Sequence, residues 1–229
     1  MNREDASVLH RLVPYLGVSS DDRDRVEAEL SARFACMEDL LFASRQSLAE
    51  VGIPEGGFVL LRLILPAARA ARRGRYLRER PVCDTEEKLG KIFCTLLRHL
   101  TEEHVTVALL DEELRLFRII HVSSGTATSA PVVIRRLAEI ALRENAAFVA
   151  MAHNHPGGEA EASPEDIATT RAIKRCLDSL GTPLLEHFVV AENGYQPILI
   201  GMPTAPICGK INPATFYARS TRQRAGLGY

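Results

Sequence analysis

No two of the five cysteines, Cys36, Cys83, Cys94, Cys176 and Cys208, stand in a C-x-x-C pair, and their number is odd. A four-thiolate zinc site and a disulfide framework are therefore not expected, and reduced thiols are. The chain has no apolar run approaching the roughly 18 residues that cross a bilayer. Its opening stretch, MNREDASVLHRLV, is too charged for a secretory leader. The expectation is a cytoplasmic protein without a membrane partner. Excess charge is also lacking: 28 Lys and Arg stand against 29 Asp and Glu, a formal net charge of -1. That balance points to neither nucleic acid nor an anionic surface as an obligatory partner. No internal repeat is visible.

What is present is ordinary globular material. The 229 residues are 46% hydrophobic and 25% charged, enough for one large domain or two small ones with a substantial core. Apolar residues recur three and four apart in VLHRLVPYLG, VEAELSARF, MEDLLFASRQSLAEV and FVLLRLILPAARAA, so residues 1–80 read as a helical domain. Arg62, Arg69, Arg72, Arg73, Arg75, Arg78 and Arg80 crowd its end, whereas residues 1–61 carry six Arg against eleven Asp and Glu.

From residue 84 to 202 helical and strand patterns alternate. Asp84 or Thr85 caps a helix expected to run through KIFCTLLRHL. VTVALLD and LRLFRIIHVS read as strands joined by a tight turn. APVVIRRLAEIALREN reads as an amphipathic helix and AAFVAMAH as a buried strand. SPEDIATTRAIKRCLDSLG is a helix, and TPLLEHFVVAENGYQPILIG a hairpin. Such interleaving implies a layered α/β domain. Residues 203–229 form a basic tail with four basic and no acidic residues in KINPATFYARSTRQRAGLGY.

The chemistry concentrates in MAHNHPGGEAEASPEDIATT, residues 151–170. Side chains two apart on a strand point to one side, so His153 and His155 can reach one ion. Asp166 follows eleven residues after His155, one turn into the next helix. Two imidazoles and a carboxylate leave a fourth position open, the pattern of catalytic rather than structural zinc. Water there becomes a nucleophile near neutral pH. A second reading stands beside this one. Ser163-Pro164-Glu165-Asp166 is a good helix start: Ser at the N-cap, Pro at N1, and Asp166 at N3 of a capping box. The two readings are compatible for Ser163 and compete for Asp166.

His153-x-His155, seven residues, Ser163, two residues and Asp166 together resemble the JAMM metalloprotease motif. The longer run AHNHPGG...S..DI..TR resembles its RadC-like branch, the UPF0758 group, closely over residues 84–202 and loosely over 10–80. The resemblance implies a cytidine-deaminase-like three-layer α/β/α sandwich with a mixed sheet. It implies Zn2+ held by His153, His155 and Asp166, with Ser163 stabilising an oxyanion. It also implies a catalytic Glu at a helix end before the first strand. In LTEEHVTVALLD that is Glu103, with Glu102 as the neighbouring alternative. The implied activity is hydrolysis of a peptide or isopeptide bond. The alternative is a non-catalytic, metal-containing interaction module associated with DNA processing. Deaminases of nucleobases need H-x-E and P-C-x-x-C, and neither occurs here.

Several positions depart from the branch. Gly157 stands where Ser is usual, Ile134, Arg135 and Arg136 replace Pro-Arg-Glu, and the loop before Ser163 reads GEAEA. Arg136 is expected to change the charge of the cleft. The N-terminal part resembles a helix-hairpin-helix module whose turn amides meet a DNA phosphate. Here the turn is Gly52-Ile53-Pro54, and Pro54 has no N–H to offer. Gly56 and Gly57 could supply replacement amides, and the Arg62 to Arg80 cluster could meet phosphate or only water. His187, beside Glu186, reads as a core or edge histidine, with support of the metal site as the alternative. His99 and His104 flank Glu103, His121 ends a strand in solvent, and Cys176 reads as a small core residue.

Overall fold

The structure is a computed structural model that describes residues 1–125 and 130–199. The basic tail, Cys208 and the last residues of the expected 84–202 domain lie outside the described residues. The chain divides into two compact units, Met1–Ala71 and the remainder from Arg72. Among the described residues no helix is long and apolar enough to cross a membrane.

The first unit is helical. It contains α1 (Arg3–Leu12), α2 (Arg23–Arg33), α3 (Met37–Phe42), α4 (Arg45–Val51) and the start of α5 (Glu55–Glu79). The three-four spacing of apolar residues buries Leu9, Leu16, Val26, Leu30, Leu48 and Leu61 in one core. Ser44 caps α4, and Gly52 ends it at a φ of +96°, where a side chain would be strained. α5 begins three residues later, at Glu55.

The second unit builds a five-stranded mixed sheet. Its elements are α6 (Glu86–Leu97), β1 (His104–Leu110), β2 (Leu116–Ser124), α7 (Ala130–Arg143), β3 (Phe148–Asn154), α8 (Pro164–Ser179), β4 (Leu184–Ala191) and β5 (Gly194–Pro197). The strand order is β2-β1-β3-β4-β5. Only β3 and β4 run parallel; the other pairs are antiparallel. Of the two candidate caps of α6, Thr85 does the work, accepting from Lys88 N. Asp84 pairs with Lys88 Nζ at 2.6 Å.

β3 is central and buried along its whole length, which explains its almost wholly apolar sequence. Phe148, Ala150 and Ala152 face the layer containing α6, and Val149 and Met151 face the layer of α7 and α8. This is the α/β/α sandwich with a mixed sheet that the resemblance implied. Continuing the alternation past Met151 puts His153 on the α7 and α8 side.

Two expectations need correction. α6 does not run on to Leu100. It ends at Leu97, Arg98 leaves the helical region with a ψ of 143°, and His99 takes a φ of +63°. Glu102 and Glu103 therefore lie in a loop before β1, not at a helix end. Hydrogen bonds from this loop to β3 override the helical pattern of the residues. Cys176 is half-buried rather than a core residue, whereas Cys83 is fully buried and burial pushes its thiol up to about 12.

Candidate metal centre

The end of β3 and the first turn of α8 meet in a cleft of about 310 Å³, lined by Glu103, His153, His155, Ser163, Asp166 and Thr169 among others. His153 is 3% exposed. His155 leaves the strand, held by its backbone N–H to the Val190 carbonyl at 2.8 Å. The two Nε2 atoms stand 3.0 Å apart. Asp166 Oδ1 lies 3.3 Å from His153 Nε2, and Oδ2 lies 3.6 Å from His155 Nε2.

These donors fit a metal ion. A tetrahedral zinc with bonds of about 2.0–2.1 Å has ligand-to-ligand edges of about 3.3–3.4 Å, and the 3.0 Å between the imidazoles and the 3.3 Å from His153 to Oδ1 lie near that value. The proton on His155 supports the same conclusion. His155 Nδ1 faces the Glu159 carbonyl at 3.3 Å, and a carbonyl only accepts. The imidazole N–H is therefore on Nδ1, leaving a lone pair on Nε2 directed at its neighbours. A lone pair and a carboxylate this close together suit a cation between them. The GEAEA loop thus contributes a backbone acceptor that orients a donor.

Asp166 is placed for both of the readings that competed for it. Ser163 N donates to its Oδ2 at 2.9 Å, Ser163 Oγ donates to the same oxygen at 2.6 Å, and Asp166 N donates to Ser163 Oγ at 3.1 Å. That capping box leaves Oδ1 facing His153. Burial alone would raise the Asp166 carboxyl, but the His153 imidazole beside it and the hydrogen bonds from Ser163 outweigh it and hold it well below the ordinary range.

Glu103 reaches the cleft and Glu102 does not. A Glu103 carboxylate oxygen lies within 4.8 Å of both imidazole donors, and the side chain is half-buried. Among the described residues that carboxylate pairs with nothing. Glu102 is exposed. The loop is clamped by Asn154, the residue between the two histidines. It points to the opposite side of the strand from His153 and is 2% exposed. Its Oδ1 accepts from His104 N at 2.8 Å, and its Nδ2 donates to the carbonyls of Glu102 at 3.0 Å and Leu100 at 3.4 Å.

His187 is the buried core histidine that the sequence suggested, and it also touches the centre. Its Nε2 is 2.8 Å from His153 Nδ1, and its Nδ1 is 2.6 Å from Thr170 Oγ1. Burial drives its pKa well below the usual value, with His153 next in effect. Its place on the α8 side of β4, paired with Met151, was the available signal. His104 instead stacks near His121, with ring centroids 4.9 Å apart. Arg136 is exposed and does not line the cleft among the described residues. Gly157 takes a φ of +67°, a conformation in which the Ser usual at this place would be strained.

The arginine cluster is partly engaged within the protein. Arg62 donates to the carbonyls of Leu41, Phe42 and Ala43 and lies over the Phe58 ring. Arg75 pairs with Glu79, and Arg80 with Asp111. Gly57 is buried, so of the two glycines after the hairpin turn only Gly56 is exposed.

Comparison with known proteins gives a consistent picture. A family model described as a RadC-like JAB domain matches residues 83–198. A UPF0758 protein of Marinomonas sp. is 35% identical over 165 residues, spanning 72% of this chain and 73% of that protein. One from Idiomarina loihiensis is 37% identical over 193 residues, spanning 81% and 83%. One from Staphylococcus aureus is 36% identical over 103 residues, spanning 45% and 47%.

Proposed function

The chain belongs to the RadC-like JAB-domain family, and from that premise we propose that it is a zinc-dependent hydrolase of a peptide or isopeptide bond. The observation that carries the reading is the convergence of four side chains on one cleft. His153, His155 and Asp166 present donors 3.0 to 3.6 Å apart, and a Glu103 carboxylate with no partner among the described residues stands beside them. Two imidazoles and a carboxylate suit zinc and leave a position open. Zinc supplies Lewis acidity there: it acidifies water and polarises a carbonyl.

The protein's own groups account for the proton traffic. Glu103 takes a proton from the attacking water as its oxygen bonds to the scissile carbonyl carbon. It returns that proton to the departing amine nitrogen as the carbon–nitrogen bond breaks. Ser163 orients Asp166; its one hydroxyl proton goes to Asp166 Oδ2 rather than toward a carbonyl oxygen gaining charge in the cleft. The substrate is a peptide or protein segment entering the cleft. The arginines engaged within the protein weaken the reading in which the cluster meets nucleic acid.

Glu103→Ala tests the assignment. Hydrolysis of a peptide or isopeptide substrate should be lost, while bound zinc, measured by elemental analysis, and the thermal unfolding midpoint stay close to wild type. Surviving turnover would remove Glu103 from the mechanism.

A further inference from the structure

The positions of the protons around His153 follow by elimination. Thr170 Oγ1 lies 2.6 Å from the Asp166 carbonyl oxygen and 2.6 Å from His187 Nδ1. The carbonyl has no proton to give. The single hydroxyl proton must therefore lie toward Asp166 O, since two oxygens would otherwise face each other with only lone pairs between them. Thr170 Oγ1 then accepts from His187 Nδ1–H. A neutral His187 ring with its proton on Nδ1 has a bare Nε2, and His153 Nδ1 stands 2.8 Å from it. His153 donates there, and its own Nε2 is left unprotonated toward His155 and Asp166.

We propose that Thr170 and His187 are positioning residues that hold His153 in its metal-binding tautomer. The proposal rests on the reading of this cleft as a metal centre. Thr170 is 0% exposed and His187 3%, so no solvent competes for these bonds. Metal-ligating imidazoles generally donate their other N–H to an acceptor that sets ring orientation and basicity. Here the acceptor is a second imidazole, fixed in turn by a hydroxyl that is fixed by a backbone carbonyl. Asp166 stands at both ends of this chain. Its carboxylate faces His153 Nε2, and its carbonyl, through Thr170 one turn later, sets which nitrogen of His153 is bare. The first turn of α8 thus supplies one donor directly and prepares another.

The test begins with the metal-free full chain, labelled with 15N histidine. Two-bond proton–nitrogen correlation spectra report the tautomer of each ring. His153 and His187 should both carry the proton on Nδ1; a His153 with its proton on Nε2 overturns the proposal. Thr170→Val removes the hydroxyl. It should shift His153 away from the Nδ1–H form and weaken zinc binding, read by chelator competition, by roughly ten- to a hundredfold. Thr170→Ser should restore both. Unchanged tautomer and affinity in Thr170→Val would overturn the proposal. Absence of zinc binding by the wild type would defeat the metal-centre reading alone, and the metal-free spectra would still decide the hydrogen-bonded chain. They need no variant, so a misfolded Thr170→Val leaves that decision intact.

Discussion

Ser163 and Asp166 hold each other through three hydrogen bonds, two onto Oδ2 of the Asp166 carboxylate and one from the Asp166 N–H to Ser163 Oγ, while Oδ1 faces His153 Nε2 at 3.3 Å. A helix cap and a metal ligand are usually alternative explanations of an Asp at N3. Here one carboxylate is placed for both, because the cap occupies Oδ2 and leaves Oδ1 toward His153. The cap also fixes the side-chain angle at which Oδ1 meets the imidazoles.

This division separates two variants. Ser163→Ala should cost about 1 kcal/mol of stability, as loss of an N-cap does, and should weaken zinc only through looser orientation of Asp166. Asp166→Asn keeps an oxygen for the cap but removes the charge. Its stability should change by less than about 1 kcal/mol, the size of a helix-dipole contribution, while zinc is lost. Elemental analysis beside thermal unfolding measures both. An Asp166→Asn protein that retains stoichiometric zinc would show the residue to be a cap alone.

Asn154 predicts a different separation. Its amide ties together Leu100, Glu102 and His104, the residues that bracket Glu103. Asn154→Ala removes these bonds from a buried position, at about 1–3 kcal/mol. Zinc should stay bound, because Asn154 faces away from the donors. Turnover should fall, because the loop no longer holds Glu103 in place. A variant with normal turnover would mean that the loop is positioned by other contacts.

The parts of the site that were legible in the sequence are those set by local spacing. Two histidines two apart on a strand, and Ser-x-x-Asp at a helix start, determine directions without help from the rest of the fold. Glu103 came through resemblance, since nothing local ties residue 103 to residue 153. What was not legible is what the sheet brings together. Asn154 clamps a loop fifty residues away, and His187 meets His153 only because β3 and β4 are parallel neighbours. The Glu159 carbonyl that orients His155 is a backbone group common to every residue, so side-chain identity could not point to it. The end of α6 is another case: the periodicity runs to Leu100, but the helix stops at Leu97 and Asn154 holds the following loop through Leu100, Glu102 and His104.

Two adjacent glycines should respond in opposite directions. A Cβ on Gly57 would come within 2.3 Å of the Leu16 carbonyl oxygen and 2.7 Å of an Ile53 methyl, whereas nothing lies within 4 Å of one on Gly56. Backbone cannot yield as a side-chain tip can. Gly57→Ala should therefore destabilise the first unit by about 1–3 kcal/mol, despite the better helix propensity of Ala. Gly56→Ala should stabilise it by up to about 1 kcal/mol. Chemical denaturation followed by circular dichroism distinguishes them; equal effects would mean that Gly57 is not held against Leu16.

Glu186 links the second unit to pH. It is 0% exposed, and Oε1 accepts from His187 N at 2.8 Å and Leu199 N at 2.7 Å. Oε2 has no hydrogen-bond partner among the described residues. Burial is the largest influence and, with the nearby Glu86 carboxyl, pushes the pKa up to about 8 against the lowering effect of the amides. In the unfolded chain a Glu titrates near about 4.3. Between those values the folded protein holds a proton that the unfolded chain has released. Stability is therefore complete below the unfolded value, declines as pH rises toward 8 and levels off above it. The contribution of this one group is at most about 1.4 kcal/mol per pH unit. Glu186→Gln keeps an acceptor for both amides but has no charge to suppress. Its unfolding free energy, measured by urea denaturation across that window, should lack this decline. The difference between wild type and variant isolates Glu186 from every other titrating group. A difference that stays constant with pH would mean that Glu186 is ionised in the fold, with its charge met by a group not among its present partners.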